Sequence, residues 1–309
     1  MKIVDFHSHF FSRDYFEGLL RQSPLSDNRA YFIRRMSEDG IELPPENPQD
    51  HLNLIMQQMD THLVDHMVLF ASSADEIPTL ARLLPDNNRF SGFAMFNPLV
   101  ENASESLDKL HSMGFKGLVL FPVLHRYLPQ DPALDAVFND IERLGFVVTI
   151  HFGILKIRLR DLAGLPRTYG GQFSNPINLI EVADRYPGIP FIVPHFGNGF
   201  FRETLMLGAN SPNICVDTSS SNRWIEYQST DMDLAQIFRK TRHVFGAKRM
   251  FFGTDSGTFP RGYRKDVLES QLKAMAAAGF TREEIHDVMC NNARWLLGLP
   301  VKEEMAVTP

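Results

Sequence analysis

Two histidines stand two residues apart in VDFHSHF, His7 and His9. On a strand, side chains at that spacing point to one face, so the two imidazoles should lie side by side. Paired neutral imidazoles make a borderline-soft nitrogen site that suits zinc, manganese or iron. The same motif would also describe two hydrogen-bonded core histidines, and alone it does not separate the readings. Three further residues do. His151 closes FVVTIH, His195 closes PFIVPH and Asp255 closes RMFFGTD. Each ends a β-type run as the HSH pair does, so four imidazoles and one carboxylate should converge on one rim. Such a set could hold a divalent metal and move protons beside it.

Those ends converge only if the runs belong to one sheet. Eight candidates recur along the chain: KIVDFH, HMVLFA, FSGFAMF, GLVLF, FVVTIH, PFIVPH, NICVDT and RMFFGTD. All are rich in residues that pack well in buried strands, and most stop at a Gly, Pro, Ser or Asp signal. Segments with helical spacing separate them. ALDAVFNDIERLG ends at Gly145, PINLIEVADRYPG has Pro just inside its start, and the last helix opens with the capping box Thr281–Glu284. Repeated strand–helix alternation predicts an α/β chain folded as a (β/α)8 TIM barrel, with right-handed crossovers. The structural alternative, an open doubly wound sheet, would want a Gly-rich turn after the first strand, and none is there. The chain is therefore expected to be one domain over 1–309. Residues 11–50 are too long for a simple βα loop and should form a lid or cap. A C-terminal helix follows the barrel, and 300–309 reads as a tail.

A barrel keeps its chemistry at the C-terminal ends of its strands, where these ligand-type residues fall. The remaining histidines fit that scheme less well. His51, His62, His111, His243 and His286 lie in helical segments, with surface or capping roles expected, and His66 opens a strand at the opposite end of the barrel. His125 follows FPVL on the correct side and is a substrate candidate. The rim loops are rich in phenylalanine: Phe10, Phe11, Phe121, Phe152, Phe196, Phe200, Phe201 and Phe259. About half should pack beneath the rim, and the rest should shape a pocket for a planar or partly apolar molecule. Arg158, Arg160, Arg223 and Arg261 are the cations that could fork onto a carboxylate there. Phe10, Phe121, His125, Arg223 and Arg261 are taken as the substrate-contacting set.

Composition narrows the partners. A net charge of -6 disfavours a nucleic acid, and no apolar run reaches the ~20 residues of a membrane span. The N-terminal segment reads as a buried strand and not as a signal peptide. Only two cysteines occur, Cys215 and Cys290, which argues against a disulfide framework and for a cytoplasmic address. A small-molecule substrate is the partner that remains.

The motifs VDFHSHF, GFKGLVLFP, TIHFG, PHFGNG, NICVDTSS, RMFFGTDSG and NNARWLLGL together resemble the amidohydrolase superfamily. The branch is amidohydrolase-2, which includes aminocarboxymuconate-semialdehyde decarboxylase and related metal-dependent hydrolases. The resemblance implies that His7, His9, His151 and Asp255 are metal ligands, and that His195 lies beside the metal-bound water. Dinuclear relatives carry a carboxylated Lys or a Glu at the end of the fourth strand. Here that strand reads GLVLFP, so one divalent ion is implied, zinc first and manganese second. The same gap counts against the TatD-like nucleases.

The expected activity is hydrolysis of a small carboxylate, lactone or amide by a single metal-activated water, with His195 and Asp255 as the catalytic residues managing protons. The alternative is non-oxidative decarboxylation of an aromatic or unsaturated acid, which the same resemblance covers. A non-catalytic barrel that only binds a ligand is the reading from another class. A homodimer is a further expectation from the resemblance.

Overall fold

In a computed structural model, which describes residues 2–167 and 169–300, eight parallel strands stand in sequence order. They are β1 (Ile3–His9), β2 (Val64–Ala71), β3 (Phe90–Phe96), β4 (Gly117–Leu120), β5 (Val147–Ile150), β6 (Phe191–Val193), β7 (Ile214–Asp217) and β8 (Met250–Phe251). Helices alternate with them, so the chain is a (β/α)8 barrel as expected. Residues 301–309, most of the expected tail, lie outside the described residues. No described helix is long and apolar enough to cross a membrane.

The eighth strand is shorter than the run RMFFGTD suggested. After Phe251 the backbone leaves the regular ladder because its donors find other partners. Phe252 N–H goes to the Val288 carbonyl at 3.0 Å and Thr254 N–H to Asp5 Oδ1 at 3.1 Å. The barrel seam is closed instead by Phe6 N–H to Phe252 O (2.8 Å), Asp255 N–H to His7 O (2.9 Å) and His9 N–H to Ser256 O (2.8 Å). These bonds fix the backbone of Asp255 directly against that of His7 and His9.

Helix ends follow local chemistry. Asp233 and Thr281 each close a reciprocal capping box, and Gly145 and Gly298 end their helices in the left-handed region. The core has two layers. One lies between strands and outer helices. The other fills the barrel with Val4, Phe6, Val68, Phe70, Phe93, Val119, Val147, Ile192 and Phe251. The C-terminal helix pushes Cys290, Ala293 and Leu297 against this inner layer, and Arg294 pairs with Asp65 at the strands' N-terminal end. Both cysteines are free; Cys290 is buried and Cys215 half-buried. Fully buried aromatics of this kind contribute roughly 1.5–3 kcal/mol each, which holds the strand ends rigidly.

The segment after β1 carries helices Arg13–Gln22 and Arg29–Glu38. Tyr15, Phe16, Leu19, Phe32 and Met36 pack there with Leu159, Ala163 and Leu165 from the loop after β5. Two insertions thus share a small hydrophobic core of their own, separate from the barrel's.

Candidate active site

The HSH pair owes its orientation to a break in strand register. β1 and β2 pair in parallel with Asp5 opposite Met67 and Ser8 opposite Leu69, so Phe6 and His7 together face Val68. This is a bulge, which adds one residue and re-aims the side chains beyond it. Below it Val4 and Phe6 point into the barrel; above it His7 and His9 do, and Asp5, Ser8 and Phe10 point outward. Uninterrupted alternation would have put Asp5 inside with the histidines.

His7 is buried, and its Nδ1 lies 2.8 Å from Asp217 Oδ2 at the end of β7. Asp217 is held ionised: burial pushes its carboxyl up, but the His7 charge and hydrogen bonds outweigh that and bring it to about 2. His7 Nδ1 therefore donates, and its Nε2 is the atom left to carry a proton or to bind a metal ion. That nitrogen faces Asp255 Oδ1 at 3.7 Å, and His9 Nε2 lies 3.1 Å from the same oxygen. The other His9 nitrogen, Nδ1, meets Ser72 Oγ at 2.7 Å. Electron-pair donors from His7, His9 and Asp255 converge within 4.8 Å of one another. Burial opposes a charge on His7, while Asp217 and Asp255 favour one and raise its pKa. The position rewards positive charge.

Asp255 takes a left-handed backbone, φ 60°, uncommon for a residue with a side chain. Burial of this half-exposed carboxyl pushes its pKa up, but it stays well below the ordinary range because His9 bonds to it and His195 and His7 stand near. His151, one residue past β5, lies outside the 4.8 Å group. Its ring centroid is 5.1 Å from that of His195, it stacks on Phe121, and its Nδ1 is buried without a partner. Burial, then His195 and His7, depress its pKa to about 3, so it is a neutral imidazole with lone-pair capacity to spare.

His195 also has positive φ, 56°, in the turn after β6. Its backbone N–H donates to Asp217 Oδ1 at 3.2 Å, and its Nδ1 is 2.8 Å from Ser219 Oγ. Ser219 hydroxyl donates to Asp217 Oδ1, so the Oγ accepts from His195 Nδ1–H. That network assigns the free lone pair of His195 to Nε2. Burial and the His7 charge depress its pKa, which keeps it neutral.

A cavity of about 650 Å³ opens above these groups at the C-terminal ends of the strands. Of the expected substrate-contacting set, Phe121, His125 and Arg261 line it. Phe10 does not: the alternation that turns His9 inward turns Phe10 outward, where it is fully buried in the strand–helix layer. Arg223 does not either. It sits on an exposed turn against Glu226 at 3.4 Å, clear of the cavity. Of the eight rim phenylalanines only Phe11 and Phe121 line the cavity, with Phe70 added from β2. The others pack away from it. His51 is no surface residue: it is buried, and its Nε2–H donates to the Phe10 carbonyl at 2.7 Å.

Sequence reasoning missed Asp217 and Ser72, two groups that orient the histidines; the run Ser219–Ser221 after β7 could be read as hydroxyl donors or as a mere turn, and Ser219 is the member that holds His195. Asp217 carried a signal, since it closes β7 as Asp255 closes the run RMFFGTD. Ser72 carried none. Val119 and Phe121 line the wall after β4, and Lys116 lies before that strand, at the far end of the barrel. The wall where a second ion would need a ligand is apolar.

A family model described as amidohydrolase matches residues 4–299. Among solved structures, 5-carboxyvanillate decarboxylase from Sphingomonas paucimobilis is similar at 15% identity, covering 97% of this chain and 99% of that chain, with TM-score 0.66. A protein assigned as a 2-pyrone-4,6-dicarboxylic acid hydrolase from Pseudomonas putida is similar at 19% identity, 97% and 98% coverage, TM-score 0.64. A zinc-bound amidohydrolase from Burkholderia multivorans is similar at 15% identity, 97% and 100% coverage, TM-score 0.59. Identities this low speak for the fold. No curated protein matches the chain.

Proposed function

The chain belongs to the amidohydrolase family, and from that premise we propose that it is a hydrolase of a small carboxylate, lactone or amide, dependent on one divalent metal ion. The observation that carries the reading is the pair His7 Nε2 and Asp255 Oδ1, 3.7 Å apart. With His7 Nδ1 committed to Asp217, Nε2 and the Asp255 carboxylate face each other across a gap that favours positive charge, and a metal ion can take the place of the proton there. His9 completes the group, and His151, with its unpartnered ring nitrogen, is the fourth candidate ligand. Three imidazoles and a carboxylate suit zinc, with manganese next. A divalent ion held there would supply Lewis acidity and lower the pKa of a water at its open position to about 7.

The chain's own residues supply the rest. His195 offers a neutral Nε2 toward the cavity and would take the proton from the attacking water, then return it to the leaving group. Ser219 and Asp217 hold that imidazole in the required tautomer. Arg261, on the same loop as Asp255 and without a carboxylate partner of its own among the described residues, would orient a substrate carboxylate. Phe70, Phe121 and Phe11 would exclude water from the flat faces of the substrate.

Arg261 also favours a second reading, decarboxylation of an aromatic or unsaturated acid, because it would draw a carboxylate to the metal side of the cavity. Assaying lactones and amides for ring opening or cleavage, and acids for carbon dioxide release, separates the two. In the hydrolase reading His195→Asn retains its metal while turnover falls by about two to four orders of magnitude. Unchanged turnover at unchanged metal content would remove His195 from the mechanism. Metal below about a tenth of an equivalent, with no uptake of zinc or manganese, would overturn the metal reading itself.

A further inference from the structure

A carboxylate with no cation to meet is seldom buried, because it gives up its hydration for little in return. Glu76, at the start of the helix Ile77–Leu83 after β2, is fully buried and pairs with no Lys, Arg or His among the described residues. Burial pushes its carboxyl up to about 8, against the pull of two backbone N–H groups. These are Ser12 N–H on Oε1 at 2.6 Å and Ser72 N–H on Oε2 at 2.7 Å. Ser12 belongs to the loop after β1 and Ser72 to the loop after β2, so one side chain ties the two loops together. An amide could not do the same, since it accepts through one atom only.

The tied segments are the supports of His9. Ser72 Oγ lies 2.7 Å from His9 Nδ1 and 3.3 Å from the Phe70 carbonyl. An imidazole that binds a cation through Nε2 carries its proton on Nδ1. It would donate that proton to Ser72, whose own hydroxyl then turns to Phe70. Ser12 follows Phe11, whose ring stacks on the His9 ring with centroids 4.6 Å and planes 2° apart. Phe11 keeps that place with a left-handed backbone, φ 41°, which a bulky residue adopts only when its surroundings hold it there. They do so on both sides: the Phe10 carbonyl accepts His51 Nε2–H at 2.7 Å, and Ser12 N–H goes to Glu76. Gly257 leaves room for the stack, because a Cβ there would stand 2.7 Å from Phe11 Cδ2 and 3.0 Å from His9 Cβ. His9 needs such supports more than His7 does. Its side chain is 18% exposed against 3%, and behind its Nδ1 stands a neutral hydroxyl where His7 has Asp217.

We propose that Glu76 is the positioning residue of His9, holding Ser72 at the ring nitrogen and Phe11 against the ring face from one buried carboxylate. Glu76 does not line the cavity, and it acts on His9 through Ser72 and Ser12. This rests on the reading that His9 binds a metal ion. A Glu76 that only fastened two loops would change their stability and leave the affinity for the ion alone.

The test sets zinc affinity, by competition with a chromophoric chelator, against the Tm of the metal-free full chain. Glu76→Gln should weaken zinc about 10-fold, the low end for a group behind a ligating histidine. Glu76→Asp, which keeps the charge but is too short to span both loops, should weaken it likewise and stands in if the amide variant does not fold. Ser72→Ala leaves both N–H bonds to Glu76 in place and should also cost about 10-fold. Combined with the Glu76 substitution it should cost less than the product of the separate losses, because Glu76 acts partly through Ser72. Met36→Ala is the control. It removes a buried side chain from the insertions' own core, on the helix Arg29–Glu38, and should lower Tm while zinc affinity stays within about 2-fold. Unaltered affinity in the Glu76 variants or in Ser72→Ala, strictly multiplicative losses in the double variant, or an equal zinc loss in Met36→Ala would each overturn the assignment. An unaltered chain that takes up no zinc would overturn the metal reading beneath it.

Discussion

Asp217→Asn replaces one oxygen of the network by an amide nitrogen, and the structure dictates which one. Asp217 Oδ1 accepts three donors: His195 N–H at 3.2 Å, Ser219 N–H at 2.9 Å and the Ser219 hydroxyl. Oδ2 accepts only His7 Nδ1–H, at 2.8 Å. An asparagine keeps its oxygen toward the three donors, because the reverse orientation would oppose three N–H or O–H groups instead of one. Its NH2 then faces His7 Nδ1 and can only donate. His7 must give up the proton there and carry it on Nε2, the atom turned toward Asp255. The lone pair available for a cation is lost by a tautomer change with hardly any movement. Removing an orienting carboxylate behind a ligating histidine costs about 10- to 100-fold in metal affinity, and the forced tautomer places this variant at the upper end. Asp217→Ala leaves His7 free to choose its tautomer but strands three buried donors, each costing about 1–3 kcal/mol. The expected order is thus inverted between two assays. The Asn variant should melt above the Ala variant yet bind zinc more weakly, measured by competition with a chromophoric chelator. Zinc affinity of the Asn variant equal to that of the unaltered protein would refute the tautomer argument, as would Ala binding worse than Asn.

Other outcomes follow from single positions. His66 is buried at the N-terminal end of the barrel against Ser91 Oγ at 2.9 Å, and burial depresses its pKa to about 4. The unfolded chain therefore takes up a proton near pH 6.5 that the folded chain refuses, so stability falls as pH drops from about 6.5 to about 4, by about 3 kcal/mol in all. In urea melts across that range, His66→Gln should flatten the acid limb; an identical slope would show that other groups set it. Gly253 has room for no methyl group: an added Cβ would stand 2.7 Å from His7 Cβ and 3.0 Å from Ser219 Cβ. Gly253→Ala should cost about 1–3 kcal/mol and displace His7, lowering zinc occupancy; full occupancy with an unaltered Tm would contradict that packing.

Much of the site can be read from strand ends. His7, His9, His195 and Asp255 are each set by where a β-type run stops, and the barrel brings those stops together. His151 arrives by the same rule but one step outside the compact group. What the residues do not reveal has specific causes. Phe10 is misplaced when rim position is weighed above alternation, which already sets it opposite His9. The bulge at Phe6 and His7 has no mark in the residue types, so the inward turn of Phe6 is invisible in the sequence. Arg223 and Arg261 look alike as loop arginines; only the path of the chain exposes one and lines the cavity with the other. Ser219 opens a run of three serines whose role the residue types leave open between hydroxyl donor and turn, and Ser72 acts through geometry that nothing in the sequence announces.

The small hydrophobic core shared by the insertions after β1 and β5 has a consequence for how such a protein can change. Arg160, Tyr15 and Leu19 reach the cavity from a layer whose packing is its own, while His7, His9 and Asp255 are locked by barrel seam and strand packing. Substitutions in that layer can redraw the far wall of the cavity without disturbing the strand ends. Lineages could exchange one substrate for another by drift in the upper storey, while the reactive floor, already joined by backbone bonds, stays as it was.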